Sequence, residues 1–252
     1  NYGMNATIQA QAAMGLGILA AVLMVRERAG EKRFPWSKGE AASKEIAALR
    51  SPLIVLQELF RALALWTTAI GVLVAILTSV CQGVFIYLAA DTFVNVFDWT
   101  ASEYSKVQGS YGVGGELIGA LAGGFFCDRF GRRKMAFIGG LIVSGSLITF
   151  GLLHPYWLSD SFSPLWIIPL FKGAIAFQTV SLFSLFMKIS WTTAAATQFT
   201  LYMAMSNFGT FLGTQLNKME WERWHLFVLG GSSALIPIVL VVMMRPERVV
   251  AR

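Results

Sequence analysis

The sequence predicts an all-α integral membrane protein, and three observations support this prediction. The 252 residues are 56% hydrophobic and only 13% charged, whereas soluble domains are about 25% charged. The apolar residues fall into runs of about 20, the length that a helix needs to cross a ~30 Å hydrocarbon core. The runs do not show the two-residue alternation of transmembrane barrel strands.

The apolar runs divide the chain into one partial span, a linker, six full spans and a tail. The partial span covers about residues 1–25, and its apolar part is 4–25. A basic linker follows at 26–62, and its second half has the apolar periodicity of an amphipathic helix. This helix either lies on the membrane surface or extends the next span. The six-helix unit, 63–244, comprises spans at about 63–90, 106–127, 134–153, 165–187, 194–216 and 225–244, and a tail follows at 245–252.

Cations are distributed unequally between the two sets of connecting segments. The linker, the loop at 128–134, the region of Lys188 and the tail contain sixteen Lys and Arg residues, whereas the opposite loops contain three. Cytoplasmic loops are enriched in Lys and Arg, so we expect the linker and the tail to face the cytoplasm. The net charge of +6 therefore reflects membrane topology, and the expected partner is the lipid bilayer and not nucleic acid.

Motifs for catalysis and metal binding are missing from the sequence. It has no C-x-x-C or H-x-x-x-H spacing that would suggest a metal site. It also lacks the G-x-S-x-G motif of serine hydrolases and the P-loop of ATPases. We therefore expect no enzymatic activity, no metal and no cofactor.

The stretch GGFFCDRFGRRK, residues 123–134, places five charges in seven residues between two apolar runs. So short a connection predicts two antiparallel neighbouring helices. Gly131 suits a turn that other residues adopt less readily. Asp128 lies at a helix C-terminus, where the helix dipole disfavours an anion, so we expect Arg129, Arg132 or a neighbouring helix N-terminus to hold it. Such a charge cluster can latch one conformational state and release in another.

Small residues give the preceding helix one face along which another helix can approach closely. The glycines of this face are Gly115, Gly119, Gly123 and Gly124.

The spacing G-x-x-x-D-R-x-G-R-R-K, from Gly124 to Lys134, resembles the signature loop of the major facilitator superfamily. In that family the loop connects helices 2 and 3 and recurs between helices 8 and 9. The second position fits here, because the motif follows the second helix after a long basic linker. Cys127 stands where Ala or Ser is commoner. The resemblance implies a conformational-switch loop made of Gly124, Asp128, Arg129, Gly131, Arg132 and Arg133.

The resemblance also implies the fold. The first span corresponds to helix 6, the linker to the central linker, and residues 63–244 to helices 7–12. The chain is then the C-terminal six-helix half of a major-facilitator-type bundle plus the last helix of the N-terminal half. Because it starts at Asn1 without a signal-peptide n-region, we expect a fragment whose partner is the missing N-terminal half. The implied location is a bacterial inner membrane.

A weaker resemblance concerns the peptide–acetyl-coenzyme A transporter family, which includes the muropeptide permease. TAAATQFTLYMAMSNFGTFLG, 193–213, is similar to its helix 11, and DWTASEYSKVQGSYGVGGELIGALAGG to its approach into helix 8. Members carry a Lys and an Asp near the middle of helix 7, where this chain has Ser79 to Gly83. The implied solute is a muropeptide-like sugar-peptide.

Two ionisable residues fall at membrane depth, where such residues are costly and suggest function. At 1.5 Å per residue, Glu116 lies ~18 Å from the cytoplasmic end of its span and Lys172 ~24 Å from that of its own. We expect the two side chains to face the bundle interior and to pair. Either they couple transport to protons, because a midplane carboxylate can load and release a proton, or they form a fixed interhelical pair.

Uncharged polar residues at similar depth are candidates for lining a solute site. They are Gln82, Tyr111, Gln178, Gln198 and Asn207. Single polar residues of this kind also join helices to one another. Gln82 and Gln178 are favoured, because helices 7 and 10 line the cavity in the family that the chain resembles.

The family resemblance implies a secondary active transporter that moves a small organic solute by alternating access, with protons as the coupling ion. The alternative is a non-transporting scaffold, receptor or assembly factor on the same fold. A membrane-embedded enzyme is a third reading, which the lack of clustered catalytic residues disfavours.

Overall fold

The structure is a computed structural model that describes residues 4–24, 57, 60, 65–190 and 195–243. The chain divides into two compact units, Asn1–Val55 and Leu56–Arg252. In the first unit, helix α1 covers Met4–Met24, and its side chains from residue 8 onward are exposed where they are described. The predicted amphipathic helix of the linker, apart from two isolated residues, and the predicted tail lie outside the described residues.

The second unit consists of helices joined by short connections. The helices are α2 Trp66–Asn95, α3 Ala101–Val107, α4 Val113–Phe130, α5 Arg132–Leu152, α6 Ile167–Ile189, α7 Ala195–Leu216, α8 Arg223–Ser233 and α9 Leu235–Met243. A π-helical turn, Gln108–Gly112, links α3 to α4. Two 3₁₀ turns, His154–Tyr156 and Pro164–Trp166, lie between α5 and α6. The predicted all-α membrane fold is confirmed.

Four segments of the described chain are long and apolar enough to cross a membrane: Trp66–Asn95, Arg132–Leu152, Pro164–Ile189 and Arg223–Met243. The other two predicted full spans are also helical, but α4 and α7 are not among the four. Both carry polar side chains and glycines along their length, which lowers their hydropathy. The last span is divided at Ala234 into α8 and α9. This break accompanies Pro237 in the first turn of α9, because proline has no N–H to donate to the carbonyl four residues earlier.

Two helix pairs, α4–α6 and α2–α7, form the closest contacts of the second unit, and we call each of these contacts a seam. In the α4–α6 seam, a Cβ added to Gly119 would lie 2.0 Å from the carbonyl oxygen of Gly173. In the α2–α7 seam, a Cβ on Gly213 would lie 2.1 Å from the carbonyl oxygen of Val80. Real Cβ atoms do not approach other atoms this closely, so each seam requires glycine. Helix α5 packs against α6 and α8.

Aromatic side chains pack together at one end of the unit. The Trp157 indole N–H donates to the Phe150 carbonyl over 3.1 Å, and the Phe150 ring lies edge-on to Phe227, with 4.9 Å between centroids. Trp157 is buried, although its position beside a predicted outer loop would suit an interfacial aromatic. Here its ring packs against those of Phe150 and Phe227.

Candidate functional site

A pocket with uncharged polar walls lies among α2, α6 and α7. Its volume is about 290 Å³. Its polar lining consists of Thr78, Ser79, Gln82, Thr179, Ser206, Asn207 and Thr210, with Phe183 and Phe186 among the apolar residues. No Asp, Glu, Lys or Arg is among the lining residues that the structure describes. The pocket therefore offers hydroxyl and amide groups for hydrogen bonding but no formal charge.

One helical spacing brings these side chains to the pocket. Each of the three helices contributes residues at positions i, i+3, i+4 and i+7, which lie on one face of a helix. The sets begin at Ala75 on α2, Thr179 on α6 and Met203 on α7. The sequence contains this signal, but of the seven polar lining residues only Gln82 and Asn207 were predicted, and the five small hydroxyl residues were not.

The Thr78 hydroxyl has a distinct environment in the pocket wall. Its oxygen is buried and has no hydrogen-bond partner within the described part of the chain. Burying an unpaired polar group costs roughly 1–3 kcal/mol. A solute in the pocket would bring a partner close to this residue.

The five predicted lining residues occupy different environments. Gln82 and Asn207 line the pocket. Gln178 is buried, and its amide points towards Gly140 on α5. Gln198 is also buried and donates to the Thr68 hydroxyl over 2.6 Å. Tyr111 is exposed, on the π-helical turn.

For three of the five residues, the structure therefore differs from the expected lining role. Gln178 and Gln198 point into contacts between helices, which is the alternative role for single polar side chains in membrane helices. Tyr111 lies on a part of the chain that does not border the pocket.

The two ionisable residues that were predicted to lie at membrane depth contact each other. Lys172 Nζ donates to Glu116 Oε1 over 2.7 Å. Their side chains are 18% and 42% exposed, respectively. The aliphatic part of the Lys172 side chain lies beside Gly112, since a Cβ added to Gly112 would lie 3.7 Å from Lys172 Cγ. The π-helical turn was not predicted; it ends at Gly112, one turn before Glu116, and π-turns are frequent at functional sites.

The signature motif lies mostly on helix ends and not in a loop. Helix α4 continues to Phe130 and α5 begins at Arg132, so only Gly131 separates them. Gly131 has φ +95°, the positive value that its predicted turn requires. The expected loop at 128–134 is therefore wrong, because the charged residues extend the two helices.

The motif's charged side chains have few partners. Arg132 Nη1 donates to the Ser184 carbonyl on α6 over 3.2 Å. The Arg129 guanidinium lies 5.9 Å from the centre of the Phe130 ring. Asp128 is exposed and forms no ion pair within the described residues. Of the expected partners, Arg129, Arg132 or a neighbouring helix N-terminus, the two arginines therefore do not hold it.

The α4 glycine face is present as predicted, and its partner is α6. A Cβ added to Gly115, Gly119 or Gly123 would lie 2.4, 2.0 or 2.9 Å, respectively, from the nearest backbone atom of α6. Gly124 has no neighbour within 4 Å, so it does not take part in this contact.

Two further polar contacts join distant parts of the second unit, and no sequence pattern predicts their pairing. Asp91 at the end of α2 is paired with Arg223 at the start of α8. Asn217, just after α7, donates to the α2 carbonyl of Val84 over 3.2 Å. Both contacts lie in the C-terminal half of α2.

The comparisons with known proteins agree with the helical architecture. The family model described as Major Facilitator Superfamily matches residues 2–214. The chain belongs to this superfamily. It is an integral, multi-pass membrane protein of a family of transporters. The searches of curated proteins and of solved structures gave no match.

Proposed function

We propose that the chain is part of a secondary active transporter that moves a small organic solute by alternating access. The uncharged polar pocket carries this proposal. Its seven hydroxyl and amide side chains converge on one cavity among three helices, and polar groups inside a membrane are costly and suggest a functional site. The pocket suits a solute rich in hydroxyls and amides, such as a muropeptide-like sugar-peptide.

Major-facilitator transporters rock two repeats about a midplane site. We propose that α1 is the last helix of one half and that residues 63–244 are the other half. The cation distribution supports a cytoplasmic linker and tail, and the family resemblance implies a bacterial inner membrane. The intact mass of the native product tests this arrangement. A product about twice the mass of these 252 residues supports it, and a product of their own mass contradicts it.

The Glu116–Lys172 pair supports coupling to protons. The pair joins α4 to α6, and its contact is a single short hydrogen bond. We propose that the carboxylate takes up a proton when a rearrangement separates it from Lys172. Pairing again releases the proton.

The test is proton flux in proteoliposomes that contain the full native product and a trapped pH-sensitive dye. Uncharged sugars, peptides and sugar-peptides are added in turn outside. A solute that starts proton entry supports the transport function. Asn207→Ala is expected to weaken the apparent affinity for that solute about tenfold. The matched control, Gln215→Ala on the same helix but outside the pocket, is expected to leave it unchanged.

Glu116→Gln tests the coupling role separately. We expect solute-dependent proton entry to disappear, while solute binding to the detergent-purified variant persists. Transport with unchanged dependence on the proton gradient would contradict this role of Glu116 without contradicting the transport function.

A further inference from the structure

The signature motif borders a second pocket, separate from the one among α2, α6 and α7. It has a volume of about 390 Å³ and lies between the start of α5 and the end of α6. Four cations line it: Arg132, Arg133, Lys134 and Lys188. Phe130 and Leu185 form part of its apolar wall.

The charge of this pocket is not neutralised within the described residues. None of the four cations has a carboxylate within ion-pair distance there, and Asp128, although close in sequence, does not line the pocket. Arg132 uses one N–H to bond the Ser184 carbonyl, which fixes its side chain and leaves its other donors available. Like charges held together repel one another, so an anion bound among the four cations would stabilise the cluster.

Membrane topology explains cations near this end of the helices but not their arrangement around one cavity. The positive-inside bias requires Lys and Arg near the membrane surface. It does not require Lys188 to lie at the same pocket as Lys134, 54 residues earlier in the sequence. This convergence is a property of the packing of α5 against α6.

We infer that this pocket binds a phosphate group. Arg and Lys bind phosphate oxygens through charge-assisted hydrogen bonds, and basic pockets between transmembrane helices bind lipid head groups. The group comes either from an anionic phospholipid or from free phosphate. The apolar wall beside the cations favours the phospholipid, whose acyl chains can lie against Phe130 and Leu185.

The experiment compares two double variants of the full native product in nanodiscs. Lys134→Gln/Lys188→Gln removes two pocket lysines. Lys106→Gln/Lys218→Gln removes two lysines that are also exposed but lie outside the pocket. The discs contain phosphatidylcholine with a small fraction of phosphatidylglycerol, and native mass spectrometry counts the phosphatidylglycerol molecules that each protein retains.

The expected result is that the pocket variant retains phosphatidylglycerol about tenfold less well than the wild type, whereas the control variant retains it as the wild type does. Equal retention by all three proteins would overturn the inference, as would an equal loss in both variants. Both variants must elute as folded protein in size-exclusion chromatography.

A second arm distinguishes the two sources of phosphate. Inorganic phosphate is titrated onto the protein in pure phosphatidylcholine discs, with binding measured by calorimetry. Saturable binding that the pocket variant loses would support a free-phosphate site. Phosphatidylglycerol retention without inorganic phosphate binding would support a lipid site, and neither signal in the wild type would overturn the inference.

Discussion

The two glycine seams reach the same closeness in different ways. In the α4–α6 seam the glycines lie mainly on one helix, where Gly115, Gly119 and Gly123 follow at intervals of four residues. On the α6 side, Gly173 is looser, since its added Cβ would lie 3.0 Å from the Gly115 carbonyl. The glycines of α4 thus leave the space that the backbone of α6 occupies.

In the α2–α7 seam both helices contribute. Gly83 on α2 would place a Cβ 2.1 Å from the Thr210 carbonyl, and Gly213 on α7 would place one 2.1 Å from the Val80 carbonyl. Each of these two glycines also faces the other's Cα, at 2.9 Å from the added Cβ.

The polar groups beside the two seams differ as well. The ion pair Glu116–Lys172 joins α4 to α6, whereas uncharged hydroxyls and amides lie beside the α2–α7 seam in the pocket. Close glycine packing thus occurs beside a charged pair in the α4–α6 seam and beside an uncharged pocket in the α2–α7 seam. Under the proposed function, these are the coupling site and the solute site.

The largest expected effect distinguishes one-sided from two-sided packing. Gly119→Ala forces a Cβ against backbone and should destabilise the protein by about 3 kcal/mol or more, whereas Gly173→Ala should cost clearly less. Gly83→Ala and Gly213→Ala should be equally severe. Thermal unfolding in detergent, followed by tryptophan fluorescence, measures all four. Gly114→Ala is the control, since nothing lies within 4 Å of it. Equal losses for Gly119→Ala and Gly173→Ala would contradict the difference between the seams.

The second prediction concerns the ion pair. Lys172→Met keeps the length of the stem but leaves the Glu116 carboxylate unpaired, which should cost about 1–3 kcal/mol. Adding Glu116→Gln should recover part of this loss, and a double-mutant cycle measures the coupling. For comparison, Arg223→Met breaks the pair with Asp91, whose cation is 40% exposed against 18% for Lys172, and should cost at most about 1 kcal/mol. A coupling of zero would show that the pair does not stabilise the α4–α6 seam.

The third prediction concerns the hydrogen bonds that the Asn217 side chain donates at the end of the α2–α7 seam. Asn217→Ala removes bonds to the carbonyls of Val84, Gly213 and Gly83, at 3.2, 3.4 and 3.5 Å. We expect a loss of about 1 kcal/mol, typical of a net hydrogen-bond contribution. Gln215→Ala, two residues earlier, is the control in the same unfolding assay. A loss no larger than that of the control would assign the stability of this seam to its glycines alone.

The smallest effect is expected at the start of the helix that leads into the α4–α6 seam. Thr100 and Glu103 form a capping box around the first turn of α3. Hydrogen bonds from the Thr100 backbone N–H and hydroxyl lower the pKa of Glu103 below its ordinary value of 4.5. The stabilisation is therefore complete above that ordinary value and is lost as the pH falls through the lowered pKa.

Thr100→Ala removes this box. The stability difference from the wild type should be present at neutral pH and should shrink in acid, as measured by unfolding at a series of pH values. A difference that does not change with pH would mean that the Glu103 carboxylate takes no part in the cap.

The sequence was sufficient to predict the helices and their class. The lengths of the apolar runs predicted where helices would form, because a bilayer admits few other structures. The spacing of the α4 glycines predicted a close helix contact, and the register from Gly124 to Lys134 predicted the superfamily. The positive φ of Gly131 also followed, because glycine adopts such values without steric cost.

Only the tertiary structure decided which faces meet. Gln82 and Gln178 look alike in sequence, yet one lines the pocket and the other points to α5, because the orientation of a side chain depends on the rotation of its whole helix. Likewise, the expected contact between Glu116 and Lys172 rests on seam glycines that bring α4 and α6 together. Local sequence determines a helix, whereas the choice of its neighbours depends on packing summed over many distant residues.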